Sequence, residues 1–102
     1  MKQLDSIKEI ENVIQEDLVM IIAKSHTCSA CKSVQFTLES NVKNLNKIDI
    51  STVYIDDVDE FRGKHLIFSV PTVLIFSKGK ELLRESRYIN YSKVERLIEM
   101  FQ

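Results

Sequence analysis

Tryptophan is absent from this chain of 102 residues, proline occurs once, and glycine and cysteine occur twice each. So few turn-forming residues argue against collagen-like, linker-like and disordered character, and also against a turn-dense all-β sandwich. An excess of one charge is also missing. The 14 basic and 15 acidic residues leave a net charge of −1, with no electrostatic footprint for nucleic acid or an anionic membrane surface. The longest uninterrupted apolar run, Leu18 to Ala23, is far too short to span a bilayer. The opening Met1-Lys2-Gln3-Leu4-Asp5 starts no signal-peptide hydrophobic region. A cytoplasmic location is expected, with neither nucleic acid nor membrane as partner.

What is present suits one globular domain over residues 1–102. Hydrophobic residues make up 44% and charged residues 28%, ordinary values for such a domain. A chain of this length buries roughly two-thirds of the surface its unfolded form exposes, so a core can form without a metal or a disulfide framework. Stability alone therefore does not explain Cys28 and Cys31. Two cysteines are too few for a secreted disulfide scaffold, and their close spacing in a cytosolic chain points to redox chemistry or a metal.

Hydrophobic periodicity orders the elements. Ile7, Ile10, Val13 and Ile14 share one helical face, and Ser6 with Glu9 forms a capping box. Leu18 to Ala23 is apolar without alternation, as expected of a central strand covered on both faces. From Cys28 onward Cys31, Val34, Leu38, Val42 and Leu45 follow steps of three and four, which predicts a long helix with both cysteines in its first turn. Ile48 to Ile55 reads as a strand, and Asp59 to Ile67 as a shorter helix interrupted by Gly63. Pro71 introduces a strand over Thr72–Phe76, Lys78-Gly79 supplies a tight turn, and Glu81 to Tyr88 completes a hairpin. Val94, Leu97, Ile98 and Phe101 mark a last helix, with Ser92 and Glu95 as a second capping box. The order is α-β-α-β-α-β-β-α. Right-handed crossovers make the first two strands parallel, and the hairpin adds an antiparallel edge strand.

Cys28-Ser29-Ala30-Cys31 is the one motif with a mechanism attached. A cysteine at a helix N-terminus lies beside unsatisfied N–H groups and the positive dipole end, which favour its thiolate. Cys28 is then the attacking sulfur. Cys31, one turn on, can reach it to close a small disulfide and release a substrate from a mixed disulfide. Other readings stay open at this point. A zinc site would need about four ligands, with His26 and His65 the remaining candidates. A copper-chaperone fold has the order β-α-β-β-α-β, whereas a helix separates the second and third strands here. His26, two residues before Cys28, is either a modulator of the thiolate or a solvated loop histidine. His65 reads as structural, Phe36 and Phe61 read as core, and Lys32, Arg62, Lys64, Arg84 and Arg87 as solvated faces.

The chain resembles the thioredoxin family. The match runs over the strand Leu18 to Ala23, the loop Ser25-His26-Thr27, Cys28-Ser29-Ala30-Cys31-Lys32, and Ser69-Val70-Pro71-Thr72 followed by Val73 to Phe76 and Lys78-Gly79. It covers almost the whole chain and implies a thioredoxin-like α/β fold. Without the family's N-terminal strand, that fold would have a four-stranded mixed sheet with helices on both faces. It further implies a cis Val70–Pro71 bond beside Cys28, with Val70 offering backbone hydrogen bonds to a substrate peptide and Thr27 as the residue preceding the nucleophile. The implied activity is thiol-disulfide exchange on protein or low-molecular-weight disulfides, without cofactor or metal. A thiol reductase or a small thiol would be the reductant, and the chain is expected to be a monomer. A binding, adaptor or redox-sensing module with little turnover is the alternative.

Departures from the family pattern are informative. The family's Trp-Cys-Gly-Pro-Cys is here Thr27-Cys28-Ser29-Ala30-Cys31. The family's buried acid, six residues before the first cysteine, is Ile22, and the Lys that partners that acid is Thr52. Deprotonation of Cys31 is therefore expected to be slow unless water or His26 substitutes for that acid. Without the rigid Gly-Pro insert, the couple is expected to be more oxidising than the roughly −270 mV of thioredoxin.

Overall fold

A computed structural model of the chain describes residues 1–101. Its elements are β1 (Lys2–Gln3), α1 (Ile7–Val13), β2 (Val19–Lys24), α2 (Cys31–Asn41), a 3₁₀ turn (Leu45–Lys47), β3 (Asp49–Tyr54), α3 (Asp59–Lys64), β4 (Thr72–Ser77), β5 (Lys80–Ser86) and α4 (Tyr91–Met100). Among the described residues the sheet has five strands in the order β1-β3-β2-β4-β5. β2 is parallel to β3 and antiparallel to β4, and β5 closes one edge antiparallel to β4.

The expected four-stranded sheet is corrected by β1, which pairs parallel with β3 through Lys2 opposite Ser51 and Gln3 opposite Thr52. Two exposed residues carry no readable alternation. What holds them is the next residue: Leu4 is buried, and its N–H donates to the Thr52 carbonyl at 2.8 Å.

The unbroken apolar run of β2 follows from its central place. Val19, Ile21 and Ala23 join a core with α1, α3 and the residues Val53, Phe61, Leu74 and Phe76. Met20 and Ile22 face the other way, into a core with Val34 and Leu38 of α2 and Val94 and Ile98 of α4. The fold is thus three layers with the sheet between two helical layers.

Helix ends follow local chemistry. Ser6 caps α1 by accepting the Glu9 N–H at 3.2 Å, and Glu9 reaches back to the Asp5 N–H. The cap of α4 is Asn90, whose side chain accepts the Lys93 N–H at 3.2 Å, two residues earlier than the expected Ser92. Glu95, the other half of that expected box, instead accepts the Lys43 N–H at 2.7 Å. The predicted run from Cys31 to Leu45 breaks after Asn41, where Val42 turns extended (φ −107°, ψ 120°), and Asn44, left-handed with φ 62°, leads into the 3₁₀ turn. Lys78 and Gly79, with φ of 49° and 85°, form the tight β4–β5 turn for which consecutive positive φ values suit the strand twist.

Two side-chain expectations change. Phe61 is fully buried, as read, but Phe36 is 71% exposed on the outer face of α2. Arg84 is half-buried rather than solvated, donating to the carbonyls of His65 and Leu66 and pairing with Glu81 at 2.7 Å. It ties β5 to the segment after α3.

Candidate functional site

The end of β2 delivers the chain into the turn that carries the cysteines. Successive N–H groups of Cys31, Lys32 and Ser33 donate to the carbonyls of Cys28, Ser29 and Ala30 at 3.3 Å each. This is the tighter i to i+3 pattern common at helix starts. Helix α2 accordingly begins at Cys31, and Cys28 precedes it rather than sharing its first turn as expected. Cys28 and Cys31 form a disulfide with a Cα–Cα separation of 5.4 Å.

The two sulfurs are not equivalent. Cys31 is 6% exposed, while Cys28 is half-buried and accessible. The Cys31 N–H donates to Cys28 Sγ at 3.2 Å. A backbone donor at the positive end of α2 therefore points at the outer sulfur, an arrangement that favours negative charge there.

A cavity of about 90 Å³ opens beside the pair, lined by Lys24, Ser25, His26, Cys28, Cys31, Lys32 and Tyr54. His26 is no free loop residue. Its ring stacks on Tyr54 at 3.9 Å, its Nε2 lies 2.9 Å from Asp57 Oδ2, and its backbone N–H donates to Asp56 at 3.0 Å. The Lys24 ammonium sits over the same Tyr54 ring, 4.6 Å from its centre. These partners escaped sequence reading because they lie about thirty residues downstream. The parallel register that sets Lys24 opposite Tyr54 brings them to the cysteines.

Thr27, Val70 and Pro71 do not line this cavity. Thr27 is exposed beside Cys28. Ala23 pairs with Thr72, so Pro71 lies at the end of the sheet from which the cysteine turn springs. The Val70–Pro71 bond is cis. Val70 packs its side chain on the core, and among the described residues its N–H and C=O have no hydrogen-bond partner. Ile22 and Thr52 are opposite each other and buried, so the place where the resemblance implies an acid and an amine holds neither.

The remaining titratable features lie elsewhere. A larger cavity of about 630 Å³ at the far end of β2 and β3 is lined by Glu16, Asp17, Lys47 and Asp49. Burial and a hydrogen bond with Asp49 raise the Glu16 pKa. His65 is packed between Phe61 and Phe76, and burial, reinforced by Lys64, lowers its pKa. Among the described residues no three His, Cys, Asp or Glu side chains come together to hold a metal ion.

Comparison with known proteins places this geometry. Residues 4–102 match the family model described as Thioredoxin. The chain is 31% identical to the thioredoxin-like protein YdfQ of Bacillus subtilis over 100 residues, covering 97% of this chain and 89% of that one. It is 28% identical to a thioredoxin of Chlamydia trachomatis over the full length of both. A solved structure of Plasmodium falciparum thioredoxin superposes with a TM-score of 0.83 at 26% identity, covering all of both chains.

Proposed function

The chain belongs to the thioredoxin family and is a thiol-disulfide oxidoreductase, and on that premise we propose that Cys28 attacks and Cys31 resolves. The observation that carries this assignment is the asymmetry of the pair: an accessible Cys28 Sγ that accepts the Cys31 N–H, against a buried Cys31.

In the reduced protein the Cys28 thiolate attacks one sulfur of a substrate disulfide. A Cys28–substrate bond forms as the substrate S–S bond breaks, and the departing thiolate takes a proton from solvent. Cys31 then loses its proton and attacks Cys28 Sγ, closing the Cys28–Cys31 disulfide and releasing the second substrate thiolate. The protein is oxidised by two electrons and the substrate reduced by two. A thiol reductase or small thiol reverses the change in the protein.

Substrate engagement uses Val70 and Pro71, together with Thr27, the residue preceding Cys28. The unpartnered Val70 N–H and C=O suit the addition of an extended peptide. His26, fixed by Tyr54 and Asp57, acts on the cysteines as a modulator of the local field. Residues 1–102 work as one domain. Among the described residues no helix is long and apolar enough to cross a membrane, and we assign the activity to the cytosol.

Reduction of insulin disulfides tests the assignment. The wild type should turn over with a regenerating thiol, and Cys28→Ser should abolish turnover. Activity surviving in Cys28→Ser would refute it.

A further inference from the structure

Resting on the mechanism just given, we propose that the rim of the Cys28–Cys31 site selects disulfides carrying carboxylates beside the reacting cystine. Three cations carry the argument. Lys24 and Lys32 line the cavity that holds both cysteines. Arg87 is brought to the same end of the sheet by strand register. Ala23 pairs with Thr72, and Thr72 pairs with Ser86. The next row across β2, β4 and the end of β5 therefore runs Lys24, Pro71, Arg87. The Arg87 N–H donates to the Pro71 carbonyl at 2.8 Å, which fixes the last step of that row. Adjacent strands lie about 4.8 Å apart, so Lys24 and Arg87 flank Pro71 with their backbones about 10 Å from each other.

The Arg87 backbone is left-handed, as it also is at the non-glycine residues Asn44, Leu66 and Lys78. Its φ is 62°, and the Tyr88 N–H donates across it to the Ser86 carbonyl at 2.7 Å, a three-residue turn centred on a left-handed residue. Glycine would adopt this conformation without strain, yet the position holds a long cationic side chain that is exposed. A strained residue beside a binding edge points to a use for its side chain.

None of these cations is neutralised by an ion pair among the described residues, although the Lys24 ammonium also lies over the Tyr54 ring. Among the described residues the ion pairs are His26–Asp57, Lys64–Glu11, Arg62–Asp59 and Arg84–Glu81, and none includes Lys24, Lys32 or Arg87. Asp57 faces the His26 ring, while Asp56 and Glu85 accept the backbone N–H groups of His26 and Asn90 and keep their charge, so the test weighs the three cations against these acids. A chain of net charge −1 thus sets Lys24 and Lys32 beside its cystine and Arg87 at the same end of the sheet, none of them in any of those ion pairs. A peptide laid along Val70 would carry the residues on either side of its own cystine past them, and opposite charge there favours both encounter and register.

The test uses three disulfide peptides of equal length whose cystine is flanked by glutamate, glutamine or lysine. The value of kcat/KM is measured for each at low and high salt. The glutamate peptide should exceed the lysine peptide by about tenfold at low salt, and the ratio should shrink as salt screens the charges. Arg87→Glu should lower that ratio by about fivefold, the scale of one exposed charge pair. Arg87→Gly, which suits the left-handed backbone and so protects the fold, should lower it in the same direction, and Arg87→Lys should retain it. Equal rates on the charged peptides, a preference for lysine, or a ratio unmoved by both Arg87→Glu and Arg87→Gly would overturn the proposal. A wild type that fails even on the glutamine peptide would instead refute the exchange mechanism, and the charge selectivity would fall with it.

Discussion

Ile22 and Thr52 lie directly opposite each other on β2 and β3, both buried, on the sheet face covered by α2. Neither can take up or release a proton near neutral pH. The buried Cys31 therefore has no acid or amine from this strand pair to help remove its proton.

The first prediction follows from that pair. Resolution of the mixed disulfide should be the slow step, so stopped-flow mixing of reduced protein with a disulfide substrate should show the adduct accumulating. Ile22→Asp should shorten the lifetime of the adduct while costing about 3–5 kcal/mol of stability, because it buries an unpaired carboxylate. A wild-type adduct that never accumulates would contradict this account.

His65 gives a pH dependence. Its folded pKa lies below the ordinary value of 6.5, first because burial disfavours the imidazolium and second because Lys64 repels it. Below 6.5 the unfolded chain takes up a proton that the folded chain resists, so this contribution to stability is complete above that pH. It is lost as the pH falls towards the folded pKa. Urea midpoints should therefore drop between about pH 7.5 and pH 5, and the drop should be smaller in His65→Leu. Because His65 Nε2 has no hydrogen-bond partner among the described residues, that variant should be no less stable than wild type at neutral pH.

The start of α4 distinguishes two caps. Asn90→Ala should cost about 1 kcal/mol, the usual scale for losing a side-chain cap. Ser92→Ala should be neutral or slightly stabilising, since Ser92 lies inside the helix and alanine is the better helix former. Chemical denaturation of the two variants separates them.

Two phenylalanines behave oppositely. Phe61→Ala should destabilise by about 3–5 kcal/mol through lost burial and the cavity left behind. Phe36→Ser should change stability by less than about 0.5 kcal/mol, as for other exposed surface positions. Thermal melts of both variants check the contrast.

These same positions show what the sequence could convey. The central strand, the parallel β2–β3 pair, the hairpin and the CxxC turn were legible because unbroken apolar runs, Lys78-Gly79 and Cys28-Ser29-Ala30-Cys31 are local signals. Phe36 was legible in principle: two residues past Val34 it sits about 200° around the helix from the buried face. Strand β1 was not legible, because Lys2 and Gln3 are held by Leu4 and by the distant Thr52 rather than by a pattern of their own. The choice between Asn90 and Ser92 was hidden because both residues can cap. The surroundings of His26 come from Tyr54, Asp56 and Asp57, and Arg84 finds its partners after α3. Such contacts exist only once register is set.

The central claim is the division of labour between the two sulfurs, and trapping the mixed disulfide tests it most directly. Reduced Cys31→Ser and Cys28→Ser proteins are each mixed with a disulfide peptide, quenched with acid and weighed by mass spectrometry. Cys31→Ser should accumulate a long-lived adduct on Cys28, and Cys28→Ser should form little or none. An adduct forming on Cys31 in Cys28→Ser as fast as on Cys28 in Cys31→Ser would contradict the account.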